Sequence, residues 1–103
     1  MASSDPDYPA ISEDDAIDVI RERLAAVPGV VMIHEGPAGS MLRVFVIVDT
    51  TEAELAVRQV EHELFLEHPA FPLDIYIHLL SEDDLRQHEA ELRRAANLIW
   101  ARS

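Results

Sequence analysis

The chain has 103 residues, with twenty aspartates and glutamates against eight arginines, for a formal net charge of −12. It contains no lysine and no cysteine, which excludes lysine Schiff-base chemistry, disulfides, thiolate metal sites and cysteine nucleophiles. So acidic a chain repels polyanions and has no basic patch to displace counterions from phosphates, so the expected partners are cations, metal ions or a basic protein surface rather than nucleic acid.

An apolar content of 49% fits a globular chain, and the length fits one domain. No apolar run approaches the length of a membrane span. The opening "MASSDPDYPA" has neither a basic start nor an apolar centre, so it does not read as a signal peptide, and the expected location is cytoplasmic. Residues 1–11 are polar, with Pro6 and Pro9, and read as a flexible leader to a single domain over 12–103.

"SEDDAIDVIRERLAAVPG" predicts a first helix. Ser12 is a natural cap, with Asp15 three residues on, and Glu13, Asp14 and Asp15 suit the positive end of the helix dipole. Ile17, Ile20, Leu24 and Val27 form its apolar stripe, and Pro28 and Gly29 end it. "VVMIHE" is a short β-branched strand, and "GPAGS" is turn chemistry. "MLRVFVIVD" is a strand apolar on both faces: Leu42, Val44, Val46 and Val48 on one, Met41, Arg43, Phe45, Ile47 and Asp49 on the other. Such a strand belongs in the middle of a sheet. "TTEAELAVRQVEHELFLEH" predicts a second helix capped by Thr50 or Thr51, with Ala53, Ala56, Val57, Val60 and Leu64 turned inward. "PAFP" stops it, and "LDIYIHLL" is a third strand. "SEDDLRQHEAELRRAANLIWARS" predicts a third helix from about Asp83 to Arg102, with Leu85, Leu92 and Ile99 at heptad spacing.

The order helix–strand–strand–helix–strand–helix predicts an α+β domain of two layers, with a three-stranded mixed sheet. The first two helices should cover one sheet face. Met32, His34, Arg43, Phe45, Ile47, Tyr76 and His78 would then line the other, which is too apolar to stay wet.

Motif by motif, catalytic chemistry is sparse. "VEHELFLEH" begins like the zinc-hydrolase pattern H-E-x-x-H, but Leu66 stands where the second histidine belongs, and His68 falls about 240° around the helix from His62. Glu63 and Glu67, one turn apart, could hold a hard cation or simply be a hydrated helix face. No G-x-S-x-G surrounds Ser40, and three glycines in the whole chain build no phosphate cradle. Asp49 and Asp74 are the strand-borne carboxylates that phosphoryl chemistry would need, or else caps and turn formers. His34, His78 and Asp74 fall on one sheet face and would converge on a zinc-like ion if their strands were neighbours; otherwise the histidines rim the sheet or satisfy a buried interface.

Pro28-Gly29-Val30, His34-Glu35, Val46, Val48-Asp49 and Ile75, Ile77-His78 together resemble the cytoplasmic domain of cation diffusion facilitator transporters. The resemblance implies a dimerising, metal-responsive αββαβ module, here without a transmembrane part and with an added C-terminal tail. "RVFVIVD" followed by an acidic helix, "LDIYIHLLSEDDL" and "LIW" is similar to the end of nucleotidyltransferase-like proteins. The catalytic Gly-Ser followed by paired aspartates is missing, which implies a degenerate relative without turnover.

The sequence therefore predicts a small acidic, non-catalytic interaction or regulatory domain without a cofactor, working as a homodimer. Trp100, Ile99, Phe45 and Tyr76 are the expected interface residues, Trp100 because tryptophan at a chain end that would otherwise fray implies a contact. A metal-responsive sensor module, or a degenerate nucleotidyltransferase-like protein, is the alternative.

Overall fold

A computed structural model describes residues 13–37, 39, 41–69 and 73–102. The expected leader over 1–11, the Ser12 cap, Ser40 and most of "PAFP" lie outside the described residues. The elements run α1 (Glu13–Ala25), β1 (Val30–Glu35), β2 (Leu42–Val48), α2 (Thr51–Glu67), β3 (Leu73–Leu79), α3 (Glu82–Arg93) and β4 (Leu98–Ala101). The strands form one mixed sheet in the order β3-β2-β1-β4. β1 is antiparallel to both β2 and β4, and the β2–α2–β3 crossover makes β2 and β3 parallel.

α1 ends where the chain needs a conformation that only glycine takes easily. Gly29 sits at φ +94°, and a Cβ there would lie 2.7 Å from the Ala53 Cβ. α2 is capped as expected, the Thr50 side chain accepting from the Ala53 N–H at 3.1 Å. α3 is capped in the same way by Ser81, which accepts from the Asp84 N–H.

The main core lies between the sheet and the pair α1 and α2. Ile20 and Leu24 of α1, Val57 and Leu64 of α2, and Val44, Val46 and Val48 of β2 are buried there. β2 is central, as its two apolar faces require. β1 breaks strict alternation. Its register shifts between Val30 and Met32, which places Val31 and Met32 together on the second face.

Two expectations are corrected. The sheet has four strands rather than three, because the third helix stops at Arg93 and residues 98–101 return as β4. Helix propensity is a weak prior. Without β4, β1 would be an edge strand buried among apolar side chains with its outer backbone groups unpaired. Instead Glu35 N–H donates to the Asn97 carbonyl at 2.8 Å, Arg102 N–H donates to the Val31 carbonyl at 2.9 Å, and the Asn97 side chain donates to the Glu35 carbonyl at 2.7 Å. The layers are also three rather than two. α3 crosses to the second face, where Leu85 and Leu92 pack with Met32, Ile47 and Leu98. Ile99 does not continue that stripe, because it has left the helix and packs with the main core.

Candidate functional site

The second sheet face is covered unevenly. α3 lies over the part carrying Met32 and Leu98, while the part made by β2 and β3 keeps exposed side chains. There the parallel register sets Arg43 beside Asp74, Phe45 beside Tyr76 and Ile47 beside His78. The Phe45 and Tyr76 rings stack at 5.3 Å between centroids and 21° between planes, and the His78 ring lies 6.2 Å from Phe45. Tyr76 is 41% exposed. Asp74, first through a hydrogen bond and then through its charge, holds the Tyr76 phenol above its ordinary range.

Between this face and α3 runs a cleft of about 450 Å³. Phe45, Ile47 and Leu92 give it an apolar lining, and His34, His78, His88 and Glu91 supply the ionisable groups. His34 is buried, and its Nε2 lies 3.0 Å from the Leu92 carbonyl near the C-terminus of α3. A carbonyl only accepts, so Nε2 carries the proton, and the ring ties α3 to the sheet. Glu91 makes no ion pair among the described residues, whereas Glu82 and Asp83 pair with Arg86, and Glu89 pairs with Arg93.

Of the three expected metal ligands, His34 and His78 do line one cleft, but Asp74 does not. β2 separates β1 from β3, so the two histidine-bearing strands lie two spacings apart, roughly 10 Å. His78 and Asp74 are four residues apart on one strand, roughly 13 Å. Among the described residues, no three carboxylates or imidazoles are grouped closely enough to hold a metal ion. The sequence signals His88 and Glu91 only through H-x-x-E spacing on a helix, too common a pattern to mark a site.

"VEHELFLEH" resolves into helix packing. Arg23 of α1 donates to Glu63 at 2.7 Å and to Glu67 at 3.1 Å, so the two carboxylates one turn apart clamp α1 to α2. That pairing, with Glu67 the first contributor, raises the Arg23 guanidinium above its ordinary value. His62 is exposed, and His68 caps the helix end with its backbone N–H on the Leu64 carbonyl. The strand aspartates are engaged as well: Asp49 pairs with Arg102 at 2.9 Å, and Asp74 with Tyr76.

The four expected interface residues do not form one surface. Phe45 and Tyr76 are on the second face, whereas Ile99 and Trp100 pack, partly buried, against the main core from the edge strand β4. No helix among the described residues is long and apolar enough to cross a membrane. No family model, no curated protein and no solved structure matches the chain.

Proposed function

We propose that the chain is a small, acidic, non-catalytic interaction or regulatory domain of the cytoplasm. It works as a homodimer, with the open part of the second sheet face as its binding surface. One observation carries this reading: a stacked Phe45–Tyr76 pair left at the surface of an otherwise packed sheet, beside a cleft with an apolar lining. Exposed aromatic pairs of this kind mark contact surfaces, and tyrosine is enriched among residues that dominate binding energy.

The sheet edges support a face-on contact. One carbonyl on each edge strand is occupied by a helix arginine: Arg58 donates to Ile75 of β3 at 3.1 Å, and Arg21 to Ile99 of β4 at 3.4 Å. Charge and long side chains at an edge discourage strand addition. The engagement of Asp49 with Arg102 and of Asp74 with Tyr76 supports the non-catalytic reading, since neither is held as a bare carboxylate.

Sedimentation over a concentration series tests the proposal. Tyr76→Ala should weaken self-association by about 2 kcal/mol, roughly thirtyfold, with little change in monomer melting. A variant that associates like wild type would remove the face from consideration.

A metal-responsive role is the second reading, favoured by three imidazoles and Glu91 lining one cleft, although among the described residues they are not grouped closely enough to hold an ion. A bound zinc ion would draw α3 toward the sheet. Zinc should then raise the melting temperature of wild type but not of His78→Ala or His88→Ala, while His62→Ala with His68→Ala should respond like wild type. An unshifted wild type ends this reading.

A further inference from the structure

A homodimer built on the open second face admits one specific register, and the inference of that register rests on the homodimer reading. Two copies of a chain with net charge −12 repel one another, so they can meet only where the surface is locally neutral. Fifteen of the twenty carboxylates lie on the three helices. The open patch on β2 and β3 instead carries one aspartate, Asp74, and one arginine, Arg43, side by side in register. A basic partner would seek the helices; a second acidic copy has this patch.

The patch is also self-complementary in a way that its register dictates. Take two sheets packed face to face about a twofold axis that runs along the strands, between β2 and β3. Such an axis exchanges the two strands and leaves position along them unchanged. Over the open part of the face, each β3 residue then lies over the β2 residue that is its own neighbour within the sheet: Asp74 over Arg43 and Tyr76 over Phe45. We infer that the chain pairs with a second copy in this register, with two reciprocal Arg43–Asp74 ion pairs side by side at one end of a cluster of four aromatic rings. The two α3 helices sit on the remaining part of each second face, outside the twofold, and border the partner's β3.

Size sets the strength. Two strands at ~4.8 Å spacing and seven residues at ~3.3 Å present roughly 200 Å² in projection. That falls below the ~800 Å² per partner of a standard interface, so the dimer belongs to the weak, concentration-dependent class.

Charge exchange tests the register. Sedimentation equilibrium on the full chain from ~10 µM to ~1 mM, at 0.15 M salt, where the Debye length is ~8 Å, covers the weak range of specific association. Wild type should form a dimer. Arg43→Asp and Asp74→Arg should each weaken it at least tenfold, and the double variant should restore it. Arg43 is exposed, so its replacement leaves the core untouched. Concentration-dependent amide shifts in wild type provide a check independent of any variant, and they should centre on Arg43, Phe45, Asp74 and Tyr76 rather than on the outer face of α2 at Leu55 and Leu66. A wild type that stays monomeric at ~1 mM overturns both this inference and the homodimer proposal. A dimer indifferent to the exchange, or with shifts on α2, overturns this register and leaves the homodimer proposal standing.

Discussion

Replacing His34 separates two roles that its position allows, a ligand in the cleft or a tie that fixes α3. The side chain is 6% exposed, and its Nε2 donates to the Leu92 carbonyl at 3.0 Å. That carbonyl lies in the last turn of α3, where it also accepts from the Ala95 N–H at 3.3 Å. His34→Leu fills much of the space but removes the donor. The carbonyl keeps its Ala95 N–H, so what is lost is one hydrogen bond, about 0.5–1.5 kcal/mol. His34→Ala adds lost packing on the order of 2 kcal/mol. For a domain of this size about 1 kcal/mol corresponds to roughly 4–8 °C, so His34→Leu should lower the melting temperature by ~2–12 °C, and His34→Ala by more. The loss should also be local. Amide exchange should accelerate in α3, whose side chains bury less than those of α1 or α2, before it does so in β2. The assay is thermal unfolding without metal, together with hydrogen exchange on the same samples. If His34→Leu melts within ~2 °C of wild type and α3 keeps its protection, the tie is not what holds α3, and the argument fails.

The geometry and the charge support three further outcomes. Gly29→Ala places a Cβ at φ +94° and 2.7 Å from the Ala53 Cβ, so it should destabilise by at least ~1–3 kcal/mol in urea unfolding; an unchanged midpoint would show that this turn can move freely. Asp74→Asn removes the charge and weakens the hydrogen bond that raise the Tyr76 phenol, so Tyr76 should titrate at lower pH in the variant when monitored by ultraviolet absorbance. The sign for stability is fixed by the same shift: the folded phenol is raised, so its contribution is complete below the unfolded tyrosine pKa and is lost as pH climbs through the folded value. Finally, self-repulsion at net charge −12 should be screened by salt, so the melting temperature at pH 7 should rise between low salt and ~0.15 M sodium chloride, and a fall would contradict the charge argument.

Much of the fold is local and therefore legible from the sequence. The alternation of Leu42, Val44, Val46 and Val48 defines a strand and its buried face without any partner. The stripe through Ile20 and Leu24, the Thr50 and Ser81 caps, and the Pro28-Gly29 stop act within a few residues of themselves. These features also place His34, Phe45, Tyr76 and His78 on one sheet face, because pleat parity is a property of a single strand.

The rest depends on competition between distant segments. "NLIWARS" continues a helical heptad as readily as it forms a strand, and only the unpaired edge of β1 makes the strand better. That choice moves Ile99 and Trp100 from a projected helix end to the core side of the sheet. It also shortens α3 and lets it cross to the second face, bringing His88 and Glu91 to the cleft with His34 and His78. Strand order is likewise undetermined by local pattern, since parity fixes which way a side chain points but not which strand lies beside it. The insertion of β2 between β1 and β3 keeps His34, His78 and Asp74 apart and instead brings Arg43 to Asp74 and Phe45 to Tyr76. Backbone pairing between segments far apart in the chain decided the site, and no short-range pattern encodes it.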